Sequence, residues 1–434
     1  MKAFLALFLA VLSTAPVRAA ERPPNIVMII SDDQGWGDYG FLGHAKIKTP
    51  HLDRLAAQSL VFPRGYVPSS LCCPSLASII TGQYPHQHKI TSNDPPYAKG
   101  GKKGEKVRDP EFRAGREKMN GYMRAAATLP RTLAQRGYVS LQTGKWWQGH
   151  YSSGGFTHGM STDDPGRGGR HGDEGLTIGR QTMQPVYSFI AEAAREQKPF
   201  FVWYAPMLPH TPHNPPARLL DKYRDQAPTL QVAKYWAMIE WFDETCGQLL
   251  AHLDGKGLAE NTIVVYVTDN GWIQNPEADR FDARSKQSPY DGGVRTPIMI
   301  HWPGKVTPRR SEALASSIDL CPTLLAAAGI QPAGTLPGIN LLDDAAVSSR
   351  ERIFGEIFTH DAVDLDHPAS SLRFRWVVEG NWKLIVPAPR NEPDARVQLY
   401  DLVKDPEEKN DLAAREPERV AKLTETLNTW WPGK

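Results

Sequence analysis

Four cysteines in 434 residues are too few for a disulfide framework in a chain of this size. If Cys72, discussed below, is reserved for chemistry, at most one bridge remains among Cys73, Cys246 and Cys321. Beyond residue 20 no apolar run is long enough to span a bilayer. A formal net charge of +2 gives no bulk attraction to nucleic acid. Cys/His spacings of a zinc site, internal repeats and low-complexity tracts are also missing. What remains is ordinary globular composition, in a chain long enough for one large domain and a smaller one.

The first twenty residues have the pattern of an export signal. Lys2 supplies the positive start, an apolar core follows over residues 4–12, and Val17-Arg18-Ala19 ends on small residues. The mature protein is therefore expected to be secreted or periplasmic, without a membrane span.

Residues 25–31 form a nearly continuous apolar run, the pattern of a strand buried on both faces. Asp32 and Asp33 follow at its carboxyl end, where open α/β sheets place their ligands. Residues 262–268 repeat the pattern and end in Asp269 and Asn270. Strands are also expected over 138–143, leading to Gly144-Lys145-Trp146-Trp147, and over 200–204, leading to a proline-stiffened loop with His210 and His213. Asp32, Asp33, Asp269 and Asn270 offer four hard oxygen donors, which suit Ca²⁺ or Mg²⁺, and calcium's looser geometry fits ligands from separate strand ends. Thr49 with Pro50 reads as the capped start of a helix, and 231–253 as a long helix with core-facing aromatics.

Between these elements lies Cys72-Cys73-Pro74-Ser75-Leu76-Ala77-Ser78-Ile79-Ile80-Thr81-Gly82. Pro74 suits the first turn of a helix, and Gly82 can end it in the left-handed conformation. A thiol at a helix start sits where backbone N–H groups and the helix dipole favour negative charge. The stretch resembles the signature of the type I, formylglycine-dependent sulfatases of the alkaline phosphatase superfamily, Cys-x-Pro-Ser-Arg-x-x-x-x-Thr-Gly. Cys72, Pro74, Ser75, Thr81 and Gly82 match; Leu76 stands where the family has arginine. Gly144-Lys145-Trp146-Trp147-Gln148-Gly149 resembles the family's Gly-Lys-Trp-His-x-Gly, with Trp147 in place of histidine and His150 nearby in sequence. Pro209-His210-Thr211-Pro212 resembles its Ala-Pro-His-x-Pro segment, with His213 a competing histidine. Residues 284–297 resemble its Lys-x-x-x-Tyr-Glu-Gly-Gly-x-Arg-x-Pro, with Lys286 matching the lysine.

The resemblance implies a large, mostly parallel mixed sheet flanked by helices, with a smaller antiparallel subdomain after it. The expected division is 21–330 for the catalytic domain and 331–434 for the C-terminal α+β subdomain, which carries a hairpin around Gly380-Asn381 and a closing helix. It also implies a calcium ion on Asp32, Asp33, Asp269, Asn270 and the formylglycine made from Cys72 by a maturation enzyme. Lys145 and Lys286 would contact the sulfuryl oxygens, with His210 donating the leaving-group proton and His213 a further substrate contact. The implied activity is sulfate-ester hydrolysis, with sulfated carbohydrate as the expected substrate because of export, the family's common substrates and twelve tryptophans. Leu76 and Trp147 keep two other readings open: a phosphoester or phosphonate hydrolase using unmodified Cys72, and a non-catalytic binder of sulfated glycan. The basic run 99–118, with eight Lys or Arg against four Asp or Glu, reads as a solvated loop, with polyanion steering the alternative. Residues 163–174 read as a surface loop whose Arg167, Arg170 and His171 are within possible reach of substrate.

Overall fold

A computed structural model describes residues 22–98, 106–164 and 171–434. The export-signal reading and Arg167 and Arg170 lie outside these residues, as does part of the basic run.

An eight-stranded sheet forms the centre. Its order in space is His158–Gly159, Val139–Gly144, Phe200–Ala205, Asn25–Ser31, Thr262–Thr268, Ile298–His301, Leu60–Phe62 and Arg309–Arg310. The first five strands are mutually parallel, whereas Ile298–His301 runs antiparallel to both its neighbours. Asn25–Ser31 is wholly buried, as its apolar run predicts. Its alternate side chains serve two cores, Ile26, Met28 and Ile30 on one face and Val27 and Ile29 on the other. The second core is completed by Met238, Phe242, Cys246 and Leu249 of the long helix Leu230–Gly255.

Register brings the chemistry-bearing residues together. Ser31 is level with Thr268, so Asp32 and Asp33 leave the sheet beside Asp269 and Asn270. Gly144 is level with Ala205, which places Lys145 next to the loop carrying His210. That loop returns to the central strand, where the Asp32 amide donates to the Leu208 carbonyl at 3.0 Å.

The C-terminal sheet is antiparallel in the order Arg352–Phe358, Leu372–Glu379, Trp382–Pro387 and Gln398–Asp401. The hairpin turns at Gly380-Asn381 as expected, with Gly380 at φ 57. Val377, Leu384 and Leu399 pack beneath the helix Pro417–Trp430, while Trp376, Val378, Ile385 and Tyr400 join the core of the large sheet. The two sheets therefore share apolar packing.

Two local expectations change. Thr49 precedes the helix Pro50–Ala57 without capping it: its hydroxyl donates to Asp53 Oδ1 at 2.8 Å. The first-turn amides of His51 and Leu52 donate to the Asp243 carboxylate at 3.1 and 2.7 Å, so the cap comes from the long helix across the interface. The second half of the basic run is helical rather than a loop. Asp109 caps the helix Pro110–Ala125 by accepting from the Glu111 amide at 2.8 Å, and Phe112, Met119 and Met123 bury one face. All four cysteines are unbridged and buried. Among the described residues no helix is long and apolar enough to cross a membrane.

Candidate active site

The cysteine helix Cys72–Thr81 is buried along its whole length and ends at Gly82, φ 69, as its sequence predicts. No residue before it can cap: Leu71 occupies the cap position, and Asn93 Oδ1 instead accepts from the Cys73 amide at 2.9 Å. Cys72 Sγ lies 3.2 Å from Lys145 Nζ and 3.4 Å from Asn270 Oδ1. Burial pushes this thiol up to about 12, against the pull of Lys145 and Lys286.

Gly144 makes the approach of Lys145 possible. Its φ is 73, and a Cβ there would stand 1.8 Å from the Ala205 carbonyl oxygen, so a side chain would block the turn. Lys145 Nζ donates to Asp32 Oδ1 at 2.6 Å and lies 3.8 Å from Asp269 Oδ2. Burial opposes its charge, but Asp32, the thiol and Asp269 together carry it well above the ordinary lysine value. Lys286 Nζ donates to both oxygens of Asp33, at 2.6 and 2.8 Å. Burial opposes this charge most strongly, but Asp33, the thiol and Asp269 together raise it.

Asp33 adopts φ 63, in the left-handed region. That conformation lets its amide donate to Asp269 Oδ1 at 3.1 Å while its Oδ1 accepts from Asn270 Nδ2 at 2.7 Å. Burial works against its ionisation, but Lys286, His210 and Lys145 hold it below the usual carboxylate range. Asp269 goes the other way, pushed well up by burial and by Asp32. Asp32 Oδ2 and Asp269 Oδ2 are buried without a hydrogen-bond partner among the described residues. Ligand atoms of Asp32, Asp33, Cys72 and His210 also lie within 4.8 Å of one another. Orphaned carboxylate oxygens in such a convergent group fit a metal cation.

His210 Nδ1 donates to the Thr211 carbonyl at 2.6 Å, and its Nε2 lies 3.4 Å from Asp33 Oδ2. Burial, then Lys145, lowers it to about 4. His213 is not brought into this group. It is buried against Tyr235 and Trp272, with Nδ1 2.9 Å from Asp279 Oδ1 but not aligned for a hydrogen bond. His150 does not fill the place of the missing histidine either: it accepts from the Ser152 amide at 3.2 Å and starts a short 3₁₀ turn. The ring beside Trp147 is His171, 4.9 Å away. Leu76 is buried in the main apolar core.

Several residues around the site carry no sequence signal. Arg180 donates to the carbonyls of Met207 at 2.6 and 2.8 Å and of His210 at 2.8 Å, pinning the histidine loop. Arg116 donates to the Asn93 carbonyl at 2.6 Å and to the Trp147 carbonyl. Gln148 Nε2 donates to Cys73 Sγ at 3.2 Å. A lone arginine in a helix or loop looks like any solvated side chain until its carbonyl partners are known.

A thiol and two ammonium groups are buried among oxygen donors at the carboxyl ends of a mostly parallel sheet, in an alkaline-phosphatase-like fold. The sulfatase family matches residues 24–330, and the C-terminal region of N-sulphoglucosamine sulphohydrolase matches 277–430. The chain belongs to the sulfatase family. It is 31% identical to N-acetylgalactosamine-6-sulfatase of Homo sapiens, over 74% of this chain and 66% of that protein, so it spans slightly less than two thirds of that relative's length. It is 26% identical to N-acetylgalactosamine-6-O-sulfatase of Bacteroides thetaiotaomicron, over 94% and 93% of the two chains. The crystal structure of Ps i-CgsB superimposes with a TM-score of 0.74 at 22% identity, covering 95% of this chain and 94% of that one. The fold expectation thus holds in both its parts.

Proposed function

We propose that this chain hydrolyses sulfate esters on sulfated carbohydrate, using Cys72 converted to formylglycine and a calcium ion. The observation that carries the reading is the placing of Lys145 and Lys286 on either side of the oxygen donors around Cys72. With Asp269 ionised, as cation binding would require, three carboxylates (Asp32, Asp33, Asp269) against two ammonium groups leave one negative charge in excess. A divalent cation would turn that into one positive charge, matched by the single negative charge of a sulfate monoester and not by a phosphate monoester dianion. When present, calcium would neutralise charge on the sulfuryl oxygens, and the hydrated aldehyde would supply the attacking hydroxyl.

Asp32, Asp33, Asp269 and Asn270 would hold the ion. Lys145 and Lys286 bind and orient the sulfuryl oxygens, already held in place by their bonds to Asp32 and Asp33. His210, whose Nε2 is unprotonated before the ester binds, would take up a proton there as the anionic ester binds and pass it to the leaving alcohol, while Thr211 on Nδ1 and Arg180 on the loop fix the ring. Two relatives named for N-acetylgalactosamine-6-sulfatase activity support a sulfated amino sugar as the first substrate to try. His213 as a substrate contact, the division at residue 330, export through residues 1–20 and maturation by a formylglycine-generating enzyme belong to the same proposal.

Peptide mass spectrometry across Cys72, on protein exported by a host with its own maturation machinery, tests the mechanism. The expected result is the aldehyde mass, with sulfate released from N-acetylgalactosamine 6-sulfate oligosaccharides. An intact thiol in every preparation overturns formylglycine chemistry. Leu76, lacking the family arginine's charge and donors, favours the second reading, and phosphodiester or phosphonate monoester turnover by unmodified Cys72 would establish it. Glycan binding without turnover of either ester would leave a binding protein.

A further inference from the structure

Lys286 projects from a loop that the large domain does not hold alone. On one side, the Gln287 amide donates to the Ser70 carbonyl at 2.9 Å, and Ser70 Oγ donates to the Ser288 carbonyl at 2.7 Å. These bonds join the loop to the segment entering the cysteine helix. On the other side a set of contacts comes from the C-terminal subdomain. Arg373 donates to the Gln287 carbonyl at 2.9 Å, and Gln287 itself sits at φ 65. Tyr290 OH donates to Gln398 Oε1 at 2.9 Å. Arg284 covers the Tyr290 ring at 3.6 Å and donates to the Glu408 carbonyl.

The loop ends at Asp291, where a buried ion cluster closes. Lys383 Nζ lies 2.8 Å from Asp291 Oδ1 and 2.9 Å from Glu408 Oε1. The Asp291 amide donates to Glu408 Oε2 at 2.6 Å, and Tyr66 OH donates to Asp291 Oδ2 at 3.2 Å. Lys383 is 0% exposed, Asp291 1% and Glu408 2%. Charges so enclosed have few alternative arrangements, so the cluster sets where the loop ends. From there to Lys286 is five residues, two of which, Gln287 and Tyr290, are themselves fastened to the same subdomain.

We infer that Lys383, Glu408 and Arg373 of the C-terminal subdomain are positioning residues for Lys286, so that this subdomain completes the sulfate-binding side of the active site. The inference rests on the reading of Lys286 as a sulfuryl contact. A purely packing role predicts loss of stability alone. A positioning role predicts loss of sulfate affinity and turnover that is transmitted through Lys286.

The test is a double-mutant cycle between Lys383→Met and Lys286→Ala, with Arg373→Met as a second partner in case Lys383→Met does not fold. Thermal melting, kcat and KM on a sulfate ester, and the affinity for inorganic sulfate are measured on the full chain. In the otherwise unchanged protein, Lys383→Met is expected to lower kcat/KM and sulfate affinity at least tenfold, and Arg373→Met about threefold. In the Lys286→Ala background both losses should shrink to within twofold. Multiplicative effects, or a lower melting temperature with unchanged kcat/KM and sulfate affinity, would overturn the inference. If Lys286→Ala alone leaves sulfate affinity and turnover intact, the sulfuryl-contact reading is what has failed, and the positioning role goes with it.

Discussion

Two buried ion clusters lie at opposite ends of the Lys286 loop, built from the same kinds of side chain. At the strand ends, Asp32 Oδ2 and Asp269 Oδ2 have no hydrogen-bond partner, although lysines stand beside them. At the subdomain boundary, both Asp291 oxygens are engaged, one by Lys383 and one by Tyr66. Among the described residues the first cluster leaves two oxygens without a hydrogen bond, whereas the second leaves one, Glu408 Oε1, with Lys383 2.9 Å away. A buried polar group left unmatched costs stability unless something binds it. The difference separates a site from a brace.

The largest expected effects are opposite in sign. Asp269→Asn should lower turnover roughly 10²–10³-fold, the cost typical of removing one preorganised charge-stabilising group. In chelated protein the same change should stabilise the fold by on the order of 1–3 kcal/mol, because it removes an unmatched buried carboxylate. Lys383→Met should instead destabilise by about 3–5 kcal/mol whether or not metal is present, since it strands two buried carboxylates. Thermal melts of the two variants with and without chelator decide the matter, and parallel behaviour would erase the distinction between the clusters.

Calcium should discriminate the clusters next. Added calcium is expected to raise the melting temperature of the unmodified protein, since a ligand bound only by the folded state stabilises it. Asp269→Asn should lose most of that increment and Lys383→Met should keep it. A calorimetric titration with calcium, compared across the three proteins, gives the same ranking as affinities.

The boundary cluster should also have its own pH signature. Burial, only partly offset by Lys383, pushes the Glu408 carboxyl up to about 7 from an ordinary 4.5. Folding then favours the protonated form, so this contribution is fully present below about pH 4.5 and is lost as pH rises through 7. Melting curves from pH 5 to pH 8 should show the unmodified protein losing stability relative to Glu408→Gln, with the gap widening toward high pH. A constant gap would show that Glu408 is ionised throughout.

The smallest effect calibrates the others. His150→Ala lies outside both clusters and removes local contacts to the Ser152 amide and hydroxyl and to the Tyr151 ring. It should cost about 0.5–1 kcal/mol in a denaturant titration and leave kcat within twofold.

Much of the candidate site was readable from residue order. Fully apolar strands ending in Asp32-Asp33 and Asp269-Asn270 announce their burial and their ligand-bearing ends, because a strand buried on both faces must be apolar throughout. Gly144 before Lys145 and Gly82 after the cysteine helix mark backbone positions that side chains rarely tolerate. The helix in the second half of the basic run was not legible, since its few apolar contacts, Phe112, Met119 and Met123, are spread through a strongly charged stretch. Thr49 looked like a cap because its type and place were right, but Asp243, nearly two hundred residues away, took the amides.

Local sequence therefore determined the strands, the helix starts and stops, and which residues carry the chemistry, since these follow from burial pattern and backbone preference over a few neighbours. Tertiary structure decided the rest. Sheet register put Asp32 beside Asp269, packing set His213 against Tyr235 and Trp272 and His210 beside Asp33, and the C-terminal sheet delivered Lys383 to the far end of the Lys286 loop. Each of these depends on partners separated by tens to hundreds of residues, whose meeting is fixed by the shared core and by the need to satisfy buried charge.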